Sequence, residues 1–490
     1  MHYKIYRTTM LMLVVFVSFC SCVKMKSYDT GKAVLDPEKP SKEDEVNQVM
    51  YSYPFGKEDH GMEAEITLTL GADVKIGGDL TASIPALKYN KSLLFMLTQD
   101  DCKQSAFSMT WAAIHGKPID ISDPKRKYYY DIENLDADDL PPNASALGKT
   151  LGSTDGFGNE IRFHFTTTLA PEWDFMHVPT SVKPGFTGNY YRFYMKSGLR
   201  WNNVRTLLNT GNAIAFHDVK TLAVDDIDSL VRHFAIAQQI TQETLGGRRM
   251  KFLAEPNGNK TYLAAAHQFP DIQTMTAQSG AAQLLPFQAP SDLHKTALSR
   301  VFINDPSQGK DLVLRALAIE PKYRSAVHLG VHETDREWAQ FLLWLNDEYG
   351  KDGQDIIWFP SQEEYYEYHY YRQHCTINVN KQGYEIKIKV KFPNQTNFYY
   401  PSLTLNIPGL KMKMIKSVSS NESVSGLSYG DFGDGISINL DCRKYLFEHA
   451  DHYVKKYHSK PSKSNLADAS YHIKALKDSD QKKELLKSMP

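Results

Sequence analysis

Short apolar runs alternate with longer amphipathic stretches through residues 88–375, and this pattern predicts strands followed by helices. The clearest strand is the run Leu93–Leu97, which stops abruptly at Thr98. Apolar residues at helical spacing predict one helix over 225–247 and another that begins at Ser361 as its N-terminal cap. Because strands that alternate with helices form parallel sheets or barrels, this part of the chain is predicted to be α/β.

The pattern changes near Cys375. Residues 376–442 alternate apolar and polar positions with a period of two and contain no helical stretch, which predicts a separate small antiparallel β-sandwich. Residues 443–490 are basic with helical spacing and predict a helical tail. An alternating run from Glu63 predicts an N-terminal β extension of the α/β domain, which as a whole covers 63–375.

The N-terminus has the pattern of a secretory signal, assigned here to residues 1–22. Lys4 and Arg7 precede an apolar core that is shorter than the roughly 20 residues of a membrane span. A small residue stands before Cys22, so we expect cleavage there and lipidation of Cys22, as in a bacterial lipoprotein. Residues 23–62 are polar and predict a tether. The expected location is therefore outside the cytoplasm, anchored to a membrane and facing the periplasm or the outer membrane.

Composition and charge narrow the classes of partner. The formal net charge is −1, so no global field favours nucleic acid, and none is expected as a partner. Hydrophobic residues make up 42% and charged residues 23%, which is ordinary for globular protein. After cleavage, Cys102, Cys375 and Cys442 are the cysteines of the folded part, too few for a disulfide scaffold.

Acidic and histidine side chains stand at the ends of predicted strands. Asp100 and Asp101 follow the first buried run, His217 follows another, and His328 and His332 share one face of a third. Carboxylates at the end of a buried strand need a metal, hydrogen bonds or water, and carboxylate with imidazole suits a divalent metal. Each feature alone also has a structural explanation, as a polar strand end, a hydrogen-bonded core histidine or a wet barrel mouth.

Four stretches, in this order, resemble elements of the polysaccharide deacetylases of the NodB-homology type, which are carbohydrate esterases of the family-four kind on a distorted (β/α) barrel. LLFMLTQDDC resembles their Thr-Phe-Asp-Asp-Gly element, and NAIAFHDVKT resembles the element with two histidines separated by three residues. HLGVHE resembles the late strand with histidine, and DIIWFPSQEEYYEY the terminal strand and helix that carry tryptophan. The resemblance covers about residues 88–375. With the signal, it indicates a divergent lipoprotein of the Bacteroidota type.

The resemblance implies metal-dependent removal of acetyl groups from an acetylated polysaccharide or oligosaccharide at the cell envelope. The implied cofactor is a divalent metal, Zn, Co or Ni, and the implied membrane contact is the lipid anchor. The implied site residues are Asp100 and His332 as catalytic base and acid, Asp101 and His217 as metal ligands, and His328 and Trp358 as substrate contacts.

The chain departs from the family pattern at several positions, including Gln99 and Cys102 in place of the phenylalanine and glycine of the first element. Thr221 stands where the second metal-binding histidine would be, and Ala254 or Glu255 stands where an arginine would orient the base. Asp218 lies beside His217, but neighbours on a strand point to opposite faces, so we expect it to point away. These departures leave open a different class of function, a catalytically inactive glycan-binding or scaffold lipoprotein. A hydrolase barrel with another pocket is a third hypothesis.

Overall fold

The apolar run Leu93–Leu97 lies at the centre of a parallel sheet in the computed structural model, where its side chains are at most 1% exposed. The structure describes residues 51, 61–72, 74, 76, 79–120, 144–177, 198–288 and 291–490. The predicted signal peptide with Cys22, and nearly all of the predicted tether, lie outside the described residues.

The strands are numbered β1 to β20 in chain order, and their bounds follow. They are Glu63–Leu70, Leu93–Gln99, Ile119–Asp120, Ala144–Ser145, Gly152–Thr154, Glu160–Arg162, Thr166–Thr168, Ala213–Ala215, Phe252–Ala254, Thr274–Ala277, Ala297–Ser299, Val301–Phe302, Val327–Val331, Ile357–Trp358, Thr376–Gln382, Glu385–Lys391, Ser402–Pro408, Ile415–Ser420, Gly426–Phe432 and Gly435–Asp441.

The longer helices are numbered α1 to α9 in chain order. They are Trp201–Asn209, Ile227–Thr244, Lys260–Gln268, Pro306–Leu317, Arg336–Tyr349, Gln362–His374, Leu446–Ser459, Lys463–Ala475 and Asp480–Lys487. A π-helix, Ala106–Trp111, follows β2 and runs into a short α-helical turn. The predicted cap of α6 is confirmed, because the Ser361 side chain accepts a hydrogen bond from the backbone N–H of Glu364. Among the described residues, no helix is long and apolar enough to cross a membrane.

Two parallel sheets form the α/β region. The larger has the order β12-β13-β2-β7-β8, with β14 also paired to β2, and the smaller has the order β11-β10-β9. A single bridge between Phe216 and Leu253 links β8 to β9, and Arg300 separates β11 from β12 in the chain. The α/β prediction is confirmed, but the ladders of the described strands do not join into one closed barrel.

Alternate residues of β2 pack into two different cores. Leu93, Phe95 and Leu97 join a cluster formed with the surrounding helices, whereas Leu94 and Met96 join the cluster of the antiparallel sheets. This is the period of two that a strand imposes on its side chains. Both faces of β2 are therefore dry, and the chain can place ionisable groups only beyond its end.

The C-terminal strands form two antiparallel sheets, β15-β16-β1-β18 and β17-β20-β19, whose buried residues belong to one hydrophobic cluster. Strand β1 lies between β16 and β18. The alternating run from Glu63, expected as an extension of the α/β domain, thus pairs with strands more than 300 residues away in the chain. All described residues belong to one compact unit, and the boundaries after 375 and 442 stay a prediction.

Helix α8 of the predicted tail is held by buried charges. Asp468 accepts hydrogen bonds from Lys117 Nζ and Arg162 Nη1, both at 2.6 Å. All three side chains are at most 5% exposed. The same Arg162 Nη1 donates to His115 Nδ1 at 2.8 Å. Buried ions require partners of opposite charge, so this network fixes the helix against the α/β region.

Candidate active site

The two carboxylates of the first motif lie where β2 ends. Asp100 is buried, with 2% of its surface exposed, and its backbone N–H donates to Val331 O on the neighbouring strand. Asp101 and Cys102 both have positive φ, at 62° and 50°. Residues other than glycine adopt this left-handed conformation at a cost, and such strain is found where a side chain must be placed accurately. The turn places the Asp101 carboxylate close to His217, which also lies near the Asp100 carboxylate.

Asp100 forms a bidentate ion pair with Arg300. The two guanidinium nitrogens Nη1 and Nη2 lie 2.7 Å from Oδ1 and Oδ2, respectively, and Nη2 also donates to the backbone oxygen of Glu255. The Arg300 side chain is fully buried. Bidentate pairing fixes both the charge and the orientation of a carboxylate. Asp100 therefore has an orienting arginine, although it comes from the junction of β11 and β12.

Sequence reasoning missed Arg300. A signal was present, since Arg300 is the lone charged residue in the stretch TALSRVF. A charged side chain in a short apolar stretch is costly to bury unless a partner is near. The family pattern places the arginine at Ala254 or Glu255, and Arg300 reaches the same region, because the Glu255 carbonyl accepts from its guanidinium.

His217 follows β8, and its ring is held in one orientation. Its Nδ1–H donates to the backbone oxygen of Ala254 at 2.8 Å, which turns Nε2 toward the carboxylates. Nε2 lies 3.3 Å from Asp101 Oδ1 and 3.9 Å from Asp100 Oδ2. Burial would lower the pKa of His217, but the carboxylates of Asp100, Asp101 and Asp218 raise it to about 9. Without a metal, His217 is thus protonated at neutral pH.

Asp218 points into the same site as His217. One ligand atom each from Asp101, His217 and Asp218 lie within 4.8 Å of one another. The expectation that Asp218 points away was wrong, because β8 ends at Ala215 and the alternation of a strand no longer applies at 217 and 218. Thr221 does not join the group, since its hydroxyl bonds to Ser229 and to a backbone N–H of its own loop.

His332 follows β13 at the outer side of this group. Its Nε2 lies 3.6 Å from Asp101 Oδ2, and its side chain is 45% exposed. The ring packs on Phe302 with 4.5 Å between centroids. Partial burial lowers the pKa of His332, and the neighbouring carboxylates only partly offset this. One side of the imidazole is therefore open to solvent, and the other faces the carboxylates.

Two predicted substrate contacts are buried. His328 is buried, and its Nε2 lies 3.0 Å from the Thr98 hydroxyl, while burial and the charge of Arg300 lower its pKa to about 3. Trp358 is 1% exposed and packs on Tyr365 and Tyr368 in the core. Its strand pairs with the beginning of β2 at Leu94, far from Asp100.

The whole chain was compared with models of known protein families, and one model matches. Over residues 64–489 the chain matches the family model described as "Putative polysaccharide deacetylase", which is well over half of its length. The chain belongs to this polysaccharide deacetylase family. No curated protein matches the chain at a significant level.

The family membership confirms the resemblance inferred from the motifs and extends it. The motifs covered about residues 88–375, whereas the family match runs through the antiparallel sheets and the C-terminal helices to residue 489. The parts predicted as a sandwich and a tail therefore belong to the polysaccharide deacetylase family model as well.

Polysaccharide deacetylases are generally metal-dependent, and the residues of this chain fit a divalent ion. The donor atoms of Asp101, His217 and Asp218 are two carboxylates and one imidazole, which first-row divalent metals accept. The Ala254 carbonyl orients the histidine from behind, as outer partners of metal ligands do. The Lys103 ammonium, 3.6 Å from Asp101 Oδ2, balances part of the negative charge.

Proposed function

We propose that the protein removes acetyl groups from an acetylated polysaccharide, with a divalent metal held by Asp101, His217 and Asp218. The observation that carries this proposal is the pair of adjacent carboxylates with separate partners. Asp100 is bound to Arg300, and Asp101 faces His217 and Asp218. One carboxylate can therefore act as a base while its neighbour binds the metal.

Asp100 is the proposed general base. Its carboxylate takes a proton from the water that attacks the acetyl carbonyl. The bidentate contact with Arg300 fixes the orientation of the Asp100 carboxylate beside the group formed by Asp101 and His217. Arg300 is thus a positioning residue that acts through Asp100.

The metal, when bound, supplies Lewis acidity toward the acetyl oxygen and lowers the pKa of water. Asp101, His217 and Asp218 would hold it, with Zn, Co or Ni as the proposed ions. His217 must lose its Nε2 proton to bind, so metal binding releases a proton at neutral pH.

His332 is the proposed proton donor to the leaving group. Water adds to the acetyl carbon, the bond from that carbon to the sugar nitrogen or oxygen breaks, and acetate leaves. The departing amine or alcohol gains a proton, which His332 can deliver from its half-exposed position beside Asp101. Packing on Phe302 holds the ring in place for this transfer.

The same proposal covers the architecture and the location. The two parallel sheets, linked by the bridge from Phe216 to Leu253 and by Arg300 between β11 and β12, support a distorted barrel. The shared core of the two antiparallel sheets supports a sandwich. Cys22 is the proposed lipid anchor, which would place the catalytic domain at the cell envelope.

Acetate release and metal binding, measured separately, test the proposal. The full chain, loaded with Zn, Co or Ni, is expected to release acetate from acetylated chito-oligosaccharide or acetylated xylan. Asp100→Asn is expected to bind metal with nearly unchanged affinity in calorimetry and to lose acetate release. Asp101→Asn is expected to lose both.

The catalytically inactive glycan-binding or scaffold protein is the other outcome of this experiment. If the unmodified chain binds no divalent metal and releases no acetate from either substrate, the deacetylase proposal is wrong. Acetate release that survives in Asp100→Asn would also contradict it, because the base would then be another group.

A further inference from the structure

A polar cavity lies at the end of the parallel strands opposite to the candidate active site. Four of its lining residues, Lys88, Tyr89, His164 and Gly211, precede β2, β7 and β8. The residues of the active site follow these same strands. Strand β2 has seven residues and so spans about 23 Å at 3.3 Å per residue. The cavity is therefore separate from the metal-ligand group.

Three parts of the fold meet at this cavity. Besides the residues before the parallel strands, its walls include Ser428 and Asn439 of the three-stranded antiparallel sheet and Tyr471 of helix α8. Small-molecule sites occur preferentially at such junctions. The junction also includes residues beyond 442, and none of these has a role in the proposed deacetylation.

The size of the cavity limits its ligand. Its volume is about 100 Å³, and one water needs roughly 10–15 Å³ of such space. The cavity therefore has room for several waters or for one small organic molecule. It is smaller than pockets for drug-sized ligands, at roughly 300–1,000 Å³, so a single sugar ring or the end of a glycan chain fits and a longer segment does not.

Several charged groups of the wall are paired with one another. Lys88 Nζ lies 3.1 Å from Glu364 Oε1, and His164 Nδ1 lies 3.0 Å from Glu364 Oε2. Arg443 Nη2 lies 2.7 Å from Asp441 Oδ2. An ionic ligand that binds the buried groups of the wall would have to break the contacts of Glu364 with Lys88 or His164, which is costly. A neutral ligand with many hydroxyl groups can instead add hydrogen bonds to the pairs already present.

Backbone strain places an aromatic ring in the wall. Tyr89 and Asn90 both have left-handed backbone conformations, with φ of 61° and 58°. Side chains other than glycine adopt this conformation at a cost in free energy, and it persists only where the surroundings enforce it. Here Asn90 bonds to Asn406 and Ser437. The anchored Asn90 leaves Tyr89 against the cavity, where a phenol offers an apolar face and a hydroxyl group.

We propose that this cavity binds one neutral sugar residue through the Tyr89 and Tyr471 rings and the amide group of Asn159. Compensated charges, hydroxyl and amide groups and aromatic faces are the chemistry that recognises a neutral saccharide. The site would hold a glycan at a position distinct from the one where acetyl groups are removed. It does not depend on the metal-ligand group or on deacetylase activity.

Binding of neutral monosaccharides to the metal-free full chain tests this proposal. The probes are glucose, galactose and N-acetylglucosamine, observed by ligand NMR and calorimetry, with glucuronate as a charged comparison. At least one neutral sugar is expected to bind with a Kd of about 1 mM, which corresponds to roughly 4 kcal/mol. Ser428→Leu, which fills the cavity, is expected to abolish binding, and Tyr89→Phe to weaken it about fivefold or more by removing one hydroxyl.

The matched control is Asp101→Asn, which alters the candidate active site and is expected to leave sugar binding unchanged. Thermal unfolding of each variant checks that it folds, and Tyr89→Phe keeps the ring if Ser428→Leu does not fold. The proposal is overturned if none of the neutral sugars binds. It is also overturned if Asp101→Asn loses binding while the cavity variants keep it, or if crystals soaked with the sugar contain only water in the cavity.

Discussion

At the scale of single residues, two side chains lie where they could compensate for two of the departures from the family pattern. Asp218 offers a third potential ligand atom where Thr221 does not, and Arg300 supplies a guanidinium that contacts Asp100, the proposed base. Both are separated in sequence from the positions where the family pattern predicts them. A missing motif residue is therefore weak evidence for a lost site when other side chains can reach the same space.

Replacement of Asp218 tests the ligand assignment. Asp218→Asn is expected to weaken binding of Zn or Co by about 10- to 100-fold, because an amide carries no negative charge and is a poorer ligand. Calorimetry on the metal-free chain measures this. Asp225→Asn, an exposed acid of the same loop, is the matched control and should bind as the unmodified chain does. Equal affinities for all three proteins would remove Asp218 from the site.

Replacement of Gly330 tests whether Arg300 positions Asp100. A Cβ atom there would lie 2.9 Å from Phe302 and 3.3 Å from Arg300 Nη1, so alanine would displace the partner of Asp100 and the ring that packs on His332. Gly330→Ala is expected to lower kcat for acetate release by about 10²-fold, since a shift of about 1 Å can cost that much.

Gly71→Ala serves as the control for Gly330→Ala, because its Cβ would meet a neighbour only at an ordinary contact distance of 3.5 Å. Metal affinity in both variants should stay close to that of the unmodified chain. A kcat that is unchanged in Gly330→Ala would mean that Arg300 tolerates displacement and does not position the base.

At the scale of elements, the sequence predicted helix bounds well, because the start and end of a helix depend on residues that are neighbours in the chain. The helix predicted over 225–247 runs from Ile227 to Thr244, and the two glycines that follow have positive φ. The partner of an isolated strand was less predictable. Strand β1 alternates like any half-buried strand, and nothing in its pattern specifies pairing with β16 and β18.

The ion pairs of helix α8 give a prediction at this scale. Asp468→Asn removes the buried carboxylate that Lys117 and Arg162 share. It is expected to lower the free energy of unfolding by about 3–5 kcal/mol, the usual effect of breaking a buried pair. Urea denaturation measures this. Asp451→Asn removes an exposed pair on helix α7 and should change stability by less than about 1 kcal/mol. Similar values for both variants would mean that Asp468 is not the anchor.

At the scale of the whole molecule, buried ionisable groups predict loss of stability in acid. Burial would raise the pKa of Glu364, but Lys88 and His164 lower it to about 2 from an ordinary value of 4.5. Its stabilisation is present above about pH 4.5 and is lost as the pH falls toward 2, about 3 kcal/mol in all. Burial also lowers the pKa of His449 and His472 well below 6.5. Below about pH 6.5 the unfolded chain therefore binds more protons at these histidines than the folded chain, and the free energy of unfolding falls.

Urea denaturation at pH 7, 5 and 3 measures this dependence. Stability is expected to fall at each step, first from the histidines and then from the acid. In Glu364→Gln the fall between pH 5 and 3 should be smaller than in the unmodified chain, although the variant is less stable at pH 7. A fall of the same size in both proteins would contradict the assignment to Glu364.

The sequence by itself determined the family, the α/β class and the ends of strands at which Asp100, Asp101, His217 and His332 stand, because apolar periodicity and local motifs are properties of neighbouring residues. Only the tertiary structure decided that Arg300 meets Asp100 across 200 positions of the chain, that Asp218 turns toward His217, and that β1 joins the C-terminal sheet. Contacts between distant residues depend on strand register and on the backbone path after each strand ends. Those are set by packing of the whole chain.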